Sequence, residues 1–412
     1  MTQLFRDDST PDLVTRAAGH YTNNYRQLPI FLTRGEGVWV WDRDGRRYLD
    51  MVAGIAVNSL GHAHPRLVAA IREQADALIH VSNLYFNEPA LALMDKLTEL
   101  TFADRVFFAN SGAEANEAAL KLARRYRTVT KGEPHRTEIL AFHHSFHGRS
   151  FGTISVTGQP KYQKGFEPLL PTVHFATFGD LASVEQALAA AAGRIGTVIL
   201  EPVQCEGGMN FPPAGFLKGL RRLCDKHDMV LIYDEVQTGV GRTGEWFYYE
   251  IDAVKPDILT SAKGIAGGVP LGVMLCTEEV GRGFDPGSHA STFGGNPLAT
   301  RAGLEVLRTI EEDHLLDHVY TVGQELGAGL RALCDRHPDK CAEARGVGLL
   351  HGLELRDASG KLAAAVVNGC QARGLLMNAI QGQVLRFVPP LIVQSGHIET
   401  ALDILDTVLG EV

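Results

Sequence analysis

The chain has 412 residues, more than one ordinary core accommodates, so a large domain and a smaller one are expected. Apolar residues make up 45% and charged residues 21%, a balance that excludes a disordered or fibrous protein. The 39 basic residues against 48 acidic ones leave a net charge of −9, with no Lys/Arg run to follow a phosphate backbone, and nucleic acid is not an expected partner.

No apolar run reaches the roughly 18 residues that span a bilayer. Residues 1–8 carry neither a basic stretch leading into an apolar one nor an Arg-rich amphipathic pattern, so a cytoplasmic location is expected. The six cysteines, Cys205, Cys224, Cys276, Cys334, Cys341 and Cys370, contain no Cys-x-x-Cys pair and are read as reduced thiols.

In chain order, Gly37–Tyr48 (GVWVWDRDGRRY) predicts a hairpin turned at Asp44-Gly45. From about residue 105 to 276 short apolar runs alternate with loops and helical stretches. Strands are predicted at 105–109, 138–142, 197–200, 229–233, 257–260 and 271–276, the pattern of an α/β protein whose sheet carries helices on both faces. After Asn296-Pro297 the region 298–335 reads as helical. Runs at 349–355 and 384–388 predict a small α+β domain. The expected division is 1–60 as a segment joining the small domain, 61–296 as the large domain and 297–412 as the C-terminal small domain.

In open α/β sheets ligands bind beyond the carboxyl ends of the strands, so those ends carry the candidate chemistry. The first strand runs into Asn110-Ser111-Gly112-Ala113-Glu114, a capping-box pattern that opens a helix and suits a phosphate. The 229–233 run delivers Asp234 at the edge of an apolar layer, where a carboxylate needs a cationic partner. The 257–260 run leads to Lys263, followed by glycines at 264, 267 and 268. A partly desolvated lysine there would act as a nucleophile toward a carbonyl.

Two patterns are set aside. Gly239-Val-Gly241-Arg-Thr-Gly244 matches a dinucleotide fingerprint by letter, but Trp246-Phe247-Tyr248-Tyr249 follows it and does not open a helix. His143, His144 and His147, like His62 and His64, have no carboxylate at the spacing of a metal motif, and no metal is expected.

Taken together, NSGAEANE (110–117), FHGR (146–149), EPVQCEGG (201–208), DEVQTGVGRTG (234–244), KGIAGGVPLG (263–272) and STFGGNP (291–297) closely resemble the class III aminotransferases. The likeness runs from Gly35-Glu36-Gly37 to Leu385–Leu391. Asn116, the AGIAV string at 53–57 and the modest length favour the branch that acts on N-acetylornithine over the 4-aminobutyrate branch. N-succinylornithine and ornithine remain alternatives, with an aminomutase or racemase on the same scaffold more remote. Cys205 and Ala290 depart from the family, which usually has Gly at both places.

The resemblance implies a fold-type I enzyme with a mostly parallel seven-stranded sheet, pyridoxal 5′-phosphate as cofactor, and a homodimer with its site at the subunit interface. It implies that Lys263 binds the cofactor as a Schiff base and moves the proton, and that Asp234 pairs with the pyridine nitrogen. Ser111, Gly112 and Ala113 would hold the phosphate, with Thr292 supplied by the other subunit. Phe146 would stack on the ring, Gln237 would bond the 3′-oxygen, and Glu201 would lie in the surrounding polar network. Arg149 and Ser291 would face the substrate. Arg386 would pair with Glu206 while an ω-amino donor is bound and be released for the carboxylate of 2-oxoglutarate or glutamate.

Overall fold

Branched and aromatic residues in short buried runs build three sheets in the computed structural model, which describes residues 8–25 and 27–412. The N-terminal stretch read above for a targeting pattern lies outside these residues up to residue 7. The first strands are β1 (Leu32–Glu36), β2 (Trp39–Asp42) and β3 (Arg47–Asp50). β2 and β3 form the predicted hairpin across Asp44-Gly45, in antiparallel register with Val40 opposite Tyr48.

The central strands are β4 (Arg105–Ala109), β5 (Glu138–Phe142), β6 (Val173–Ala176), β7 (Ile195–Leu200), β8 (Val230–Asp234), β9 (Ile258–Ser261) and β10 (Gly272–Cys276). They form one sheet in the order β4-β10-β9-β8-β7-β5-β6. Only β10 runs against its neighbours, antiparallel to both β4 and β9. β7 to β10 are buried along their whole length, as a sheet covered on both faces requires.

β6 is absent from the strands that the apolar runs predict. Its four residues, Val-His-Phe-Ala, are mostly half-buried at the sheet edge, and His174 bonds Glu138 of β5 at 2.6 Å. A histidine in so short a run hides the apolar signal on which strand prediction relies.

The helical region after Asn296 is two helices, Pro297–Glu312 and Leu315–Arg336. Asn296 caps the first by accepting the Ala299 N–H at 2.9 Å. Between them His314 takes a left-handed conformation, φ 51°, and turns the chain. The remaining strands are β11 (Cys341–Val347), β12 (Leu350–Leu355), β13 (Leu375–Leu376), β14 (Asn378–Ile380) and β15 (Val384–Phe387). β11-β12-β15-β14 make an antiparallel sheet, while β13 runs parallel to β3 and so ties the N-terminal hairpin to the C-terminal region. Among the described residues no helix is long and apolar enough to cross a membrane.

Candidate active site

The carboxyl ends of β8 and β9 and the helix that follows β4 converge on a cavity of about 400 Å³. Its walls include Ser111, Gly112, Ala113, Phe146, Arg149, Glu201, Asp234, Gln237 and Lys263.

The helix Gly112–Arg125 starts as its sequence predicts: the Ser111 hydroxyl accepts the Glu114 N–H at 3.2 Å. The Glu114 carboxylate reaches back to the Asn110 N–H at 2.8 Å. The N–H groups of Gly112 and Ala113 have no carbonyl behind them in the helix and stand at its positive end. Gly112 is required here, because a Cβ would lie 2.8 Å from both methyl groups of Val236, just beyond β8.

Asp234 ends β8 and is 4% exposed. Oδ2 accepts from Asn116 Nδ2 at 2.7 Å and from His147 Nδ1 at 2.8 Å, and Oδ1 accepts the Val236 N–H at 3.1 Å. The carboxylate selects the His147 tautomer with hydrogen on Nδ1. Asn116 is fixed in turn, since Thr260 Oγ1 donates to its Oδ1 at 2.6 Å. Asn116 and His147 therefore belong to the site. Sequence reasoning marks Asn116 only as a feature of one branch, and its signal is a polar residue on the buried Ala115/Ala118/Ala119 face of a helix. It weighs His147 only as a metal ligand; among the described residues no metal-binding cluster exists.

Lys263 opens a single 3₁₀ turn past β9 with φ 33°. Its amine lines the cavity without a hydrogen bond or ion pair to any described residue. Burial lowers its pKa against the opposing pull of the nearby carboxylates. Glu201 is 6% exposed and accepts the Phe146 N–H at 2.8 Å. Burial first, then the charge of Asp234, holds it well above the usual carboxylate range.

At the edge of the cavity Arg386, 1% exposed on β15, pairs with Glu206 and donates to Gln237 Oε1 at 3.1 Å and to Asn378 Oδ1 at 3.3 Å. Burial opposes ionisation of Glu206, but Arg386 and Lys263 outweigh it and its pKa is lowered. Arg149 has no carboxylate partner among the described residues; its guanidinium lies 3.8 Å over the Tyr162 ring. Cys205 is fully buried, and Cys205, Glu201 and Glu206 leave β7 on one connection.

Ser291 and Thr292 do not line this cavity. They border a neighbouring depression with Phe107 and Glu114, and Ser291 Oγ accepts from Asn110 Nδ2 at 3.2 Å.

These walls fit pyridoxal 5′-phosphate. An amine without an internal partner suits its aldehyde, a buried carboxylate fixed by three donors suits its ring nitrogen, and a capped helix start suits its phosphate. A family model for aminotransferase class III matches residues 20–409. The acetylornithine aminotransferase of Synechocystis sp. is 47% identical over 93% of this chain and 90% of its own length. That of Caldanaerobacter subterraneus subsp. tengcongensis is 46% identical over 97% of this chain and 100% of its own. The crystal structure of ornithine aminotransferase from Toxoplasma gondii ME49 superposes with a TM-score of 0.95 at 30% identity, covering 100% of this chain and 99% of that one. With cavity, family match and relatives in agreement along nearly its whole length, the chain belongs to the class III aminotransferases.

Proposed function

We propose that this enzyme transfers the δ-amino group of N-acetyl-L-ornithine to 2-oxoglutarate, giving N-acetylglutamate semialdehyde and glutamate, as in arginine biosynthesis. One observation carries the chemistry: the unpaired Lys263 amine, the caged Asp234 carboxylate and the start of the 112–125 helix share a single cavity. The choice of substrate rests on the relatives, acetylornithine aminotransferases 46–47% identical over more than nine-tenths of the chain.

Pyridoxal 5′-phosphate, the cofactor of the family, supplies when bound an electron-withdrawing ring that stabilises negative charge on the substrate carbon bearing the amine. Lys263 would hold its aldehyde, Asp234 its ring nitrogen, Gln237 its 3′-oxygen, and Ser111, Gly112 and Ala113 its phosphate. Phe146 would cover one face of its ring, and Glu201, its pKa raised by burial and by the charge of Asp234, accepts the Phe146 N–H and so fixes that backbone. The lowered pKa of Lys263 leaves its Nζ able to take a proton from the substrate carbon and return it. Arg149 offers a planar fork to the substrate carboxylate. Arg386 stays paired with Glu206 while a donor carrying one carboxylate is bound, and turns to the second carboxylate when 2-oxoglutarate enters.

The reading includes a cytoplasmic homodimer in which Thr292 of the partner subunit completes the phosphate grip. Leu84, Tyr85 and Phe86 are 81%, 70% and 106% exposed, and Phe293, next to Thr292, is 62% exposed. So much contiguous apolar surface favours burial against a second copy. Sedimentation at micromolar concentration should give twice the chain mass, and a monomer at full activity would refute the shared site. Substrate choice is tested by kcat/KM for N-acetylornithine, N-succinylornithine, ornithine and 4-aminobutyrate with 2-oxoglutarate. A preference for any of the last three overturns the assignment.

A further inference from the structure

The string Gly239-Val-Gly-Arg-Thr-Gly244 has a tightly determined geometry. Val240 and Gly241 both lie at positive φ, 59° and 81°, and both N–H groups donate to the Trp246 carbonyl. Holding a valine there costs about 1–3 kcal/mol, so the surrounding structure enforces it. The turn drives Arg242 inward. Its guanidinium is 2% exposed and has no carboxylate within ion-pair distance among the described residues. Nη1 donates to the carbonyls of Leu349 at 3.1 Å and Pro389 at 2.5 Å, while Nη2 has no partner. Burial pulls its pKa down to about 9. A buried cation without a counter-ion is expensive, and two carbonyls are a partial return.

Those two carbonyls have a specific relation. β12 and β15 pair with His351 opposite Phe387 and Gly352 opposite Arg386. Carried two residues further, that register sets Leu349 opposite Pro389. Proline has no N–H, so the ladder cannot add a rung there. Nη1 of Arg242 bridges the two strands instead, and the Arg242 carbonyl accepts the Leu349 N–H at 3.0 Å. The approach is close: a Cβ on Gly348 would lie 2.5 Å from the Thr243 carbonyl carbon. Arg386 stands three residues before Pro389. The same loop therefore holds this stretch at two points, through Gln237 at the Arg386 side chain on β15 and through Arg242 at the Pro389 carbonyl just beyond the strand.

We infer that Arg242 is a positioning residue for Arg386, closing the β12–β15 ladder so that the Arg386 guanidinium is held in register with Glu206, Gln237 and the incoming dicarboxylate. This rests on the reading of Arg386 as the reader of the second carboxylate. It predicts damage confined to one half of the reaction. Single turnovers are followed by cofactor absorbance, the enzyme carrying the aldehyde form of the cofactor being mixed with N-acetylornithine in one arm and the enzyme carrying the amine form being mixed with 2-oxoglutarate in the other. Arg242→Gln should raise the half-saturating 2-oxoglutarate concentration at least 5-fold and leave the donor arm within 2-fold; Arg242→Lys, which retains one donor, should fall between. If Arg242→Gln does not fold, Arg242→Lys is decisive on the same two arms. Equal losses in both arms, or no change in either, overturn the inference. Arg386→Ala is run alongside. Should it leave 2-oxoglutarate saturation unchanged, the reading of Arg386 fails and takes the inference with it; should it weaken saturation while Arg242 variants do not, only the inference fails.

Discussion

Glu206→Gln keeps the shape of the side chain that faces Arg386 and removes its charge. Two unit charges about 4 Å apart interact by about 4 kcal/mol at an effective dielectric near 20. The loss is smaller than that, because Glu206 is a fifth exposed and Arg386 keeps Gln237 at 3.1 Å and Asn378 at 3.3 Å. A neutral amide can still accept from the guanidinium, so the net loss is about 1.5–3 kcal/mol. That energy is what a dicarboxylate must displace to reach Arg386. Each 1.4 kcal/mol is a factor of about ten, so KM for 2-oxoglutarate should fall ~10-fold or more. The ratio of kcat/KM for N-acetylornithine over glutamate as amino donor should fall by a similar factor, because the buried cation then faces the single-carboxylate donor without a counter-ion. Steady-state kinetics with both donors measure both quantities. Unchanged ratios, or a rise in KM for 2-oxoglutarate, would refute the switch and leave the pair a structural salt bridge.

Three further perturbations bear on the cofactor site and the fold. Lys263→Ala should abolish transamination and the visible absorbance of the lysine-bound cofactor together; near-normal turnover would be incompatible with the assigned role. Gly112→Ala places a methyl 2.8 Å from both Val236 methyl groups, a misfit of about 1–3 kcal/mol at the phosphate cradle, so cofactor should be lost roughly 10-fold more readily in equilibrium dialysis. His351 is buried between Gly327 and Gly346, donates to the Gly348 carbonyl at 2.8 Å, and has its pKa pushed down to about 4 by burial. The unfolded chain takes up that proton near pH 6.5 and the folded one does not until about pH 4, so stability is lost as pH falls through this window, by about 2 kcal/mol at pH 5. His351→Gln should flatten that limb of the thermal-midpoint profile, and an unaltered slope would assign the acid sensitivity elsewhere.

Strands are legible where apolar runs are unbroken and buried, as at β7 and β8, and illegible at β6, where an edge position tolerates His174. The 298–335 region reads as one helical stretch because its apolar spacing continues across the break; a left-handed His314 leaves no mark in periodicity. Lys263, Asp234 and Ser111 can be found because each closes or follows a strand, and strand ends meet at one edge of a parallel sheet. Glu206 and Arg386 cannot be joined by spacing, being 180 residues apart, one on the connection after β7 and the other on β15, and only family resemblance links them. Thr292 illustrates a different limit. Its place beside a second depression concerns a surface, and a sequence pattern describes what a chain buries against itself.

Asn116 shows how the buried polar residues that sequence reading passes over govern the ones it finds. Its amide has no freedom: Oδ1 takes the Thr260 hydroxyl, and Nδ2 donates to both the His147 carbonyl at 2.8 Å and Asp234 Oδ2 at 2.7 Å. A flipped amide would set its oxygen against two acceptors. Asn116→Asp is isosteric but replaces a donor to Asp234 with a second carboxylate at hydrogen-bond distance. Two such groups cannot both ionise, so one stays protonated with a raised pKa and the pair titrates as a unit. At neutral pH the shared proton withdraws negative charge from the position opposite the cofactor nitrogen, and kcat should fall ~100-fold. The sign of the pH dependence is set by the proton: lowering the pH adds a second proton to the pair and removes the charge that remains opposite the cofactor nitrogen, so the ratio of mutant to parent kcat should fall as pH falls. A mutant with parent activity, or one whose deficit is the same at every pH, would mean that the Asn116 amide does not control the charge on Asp234.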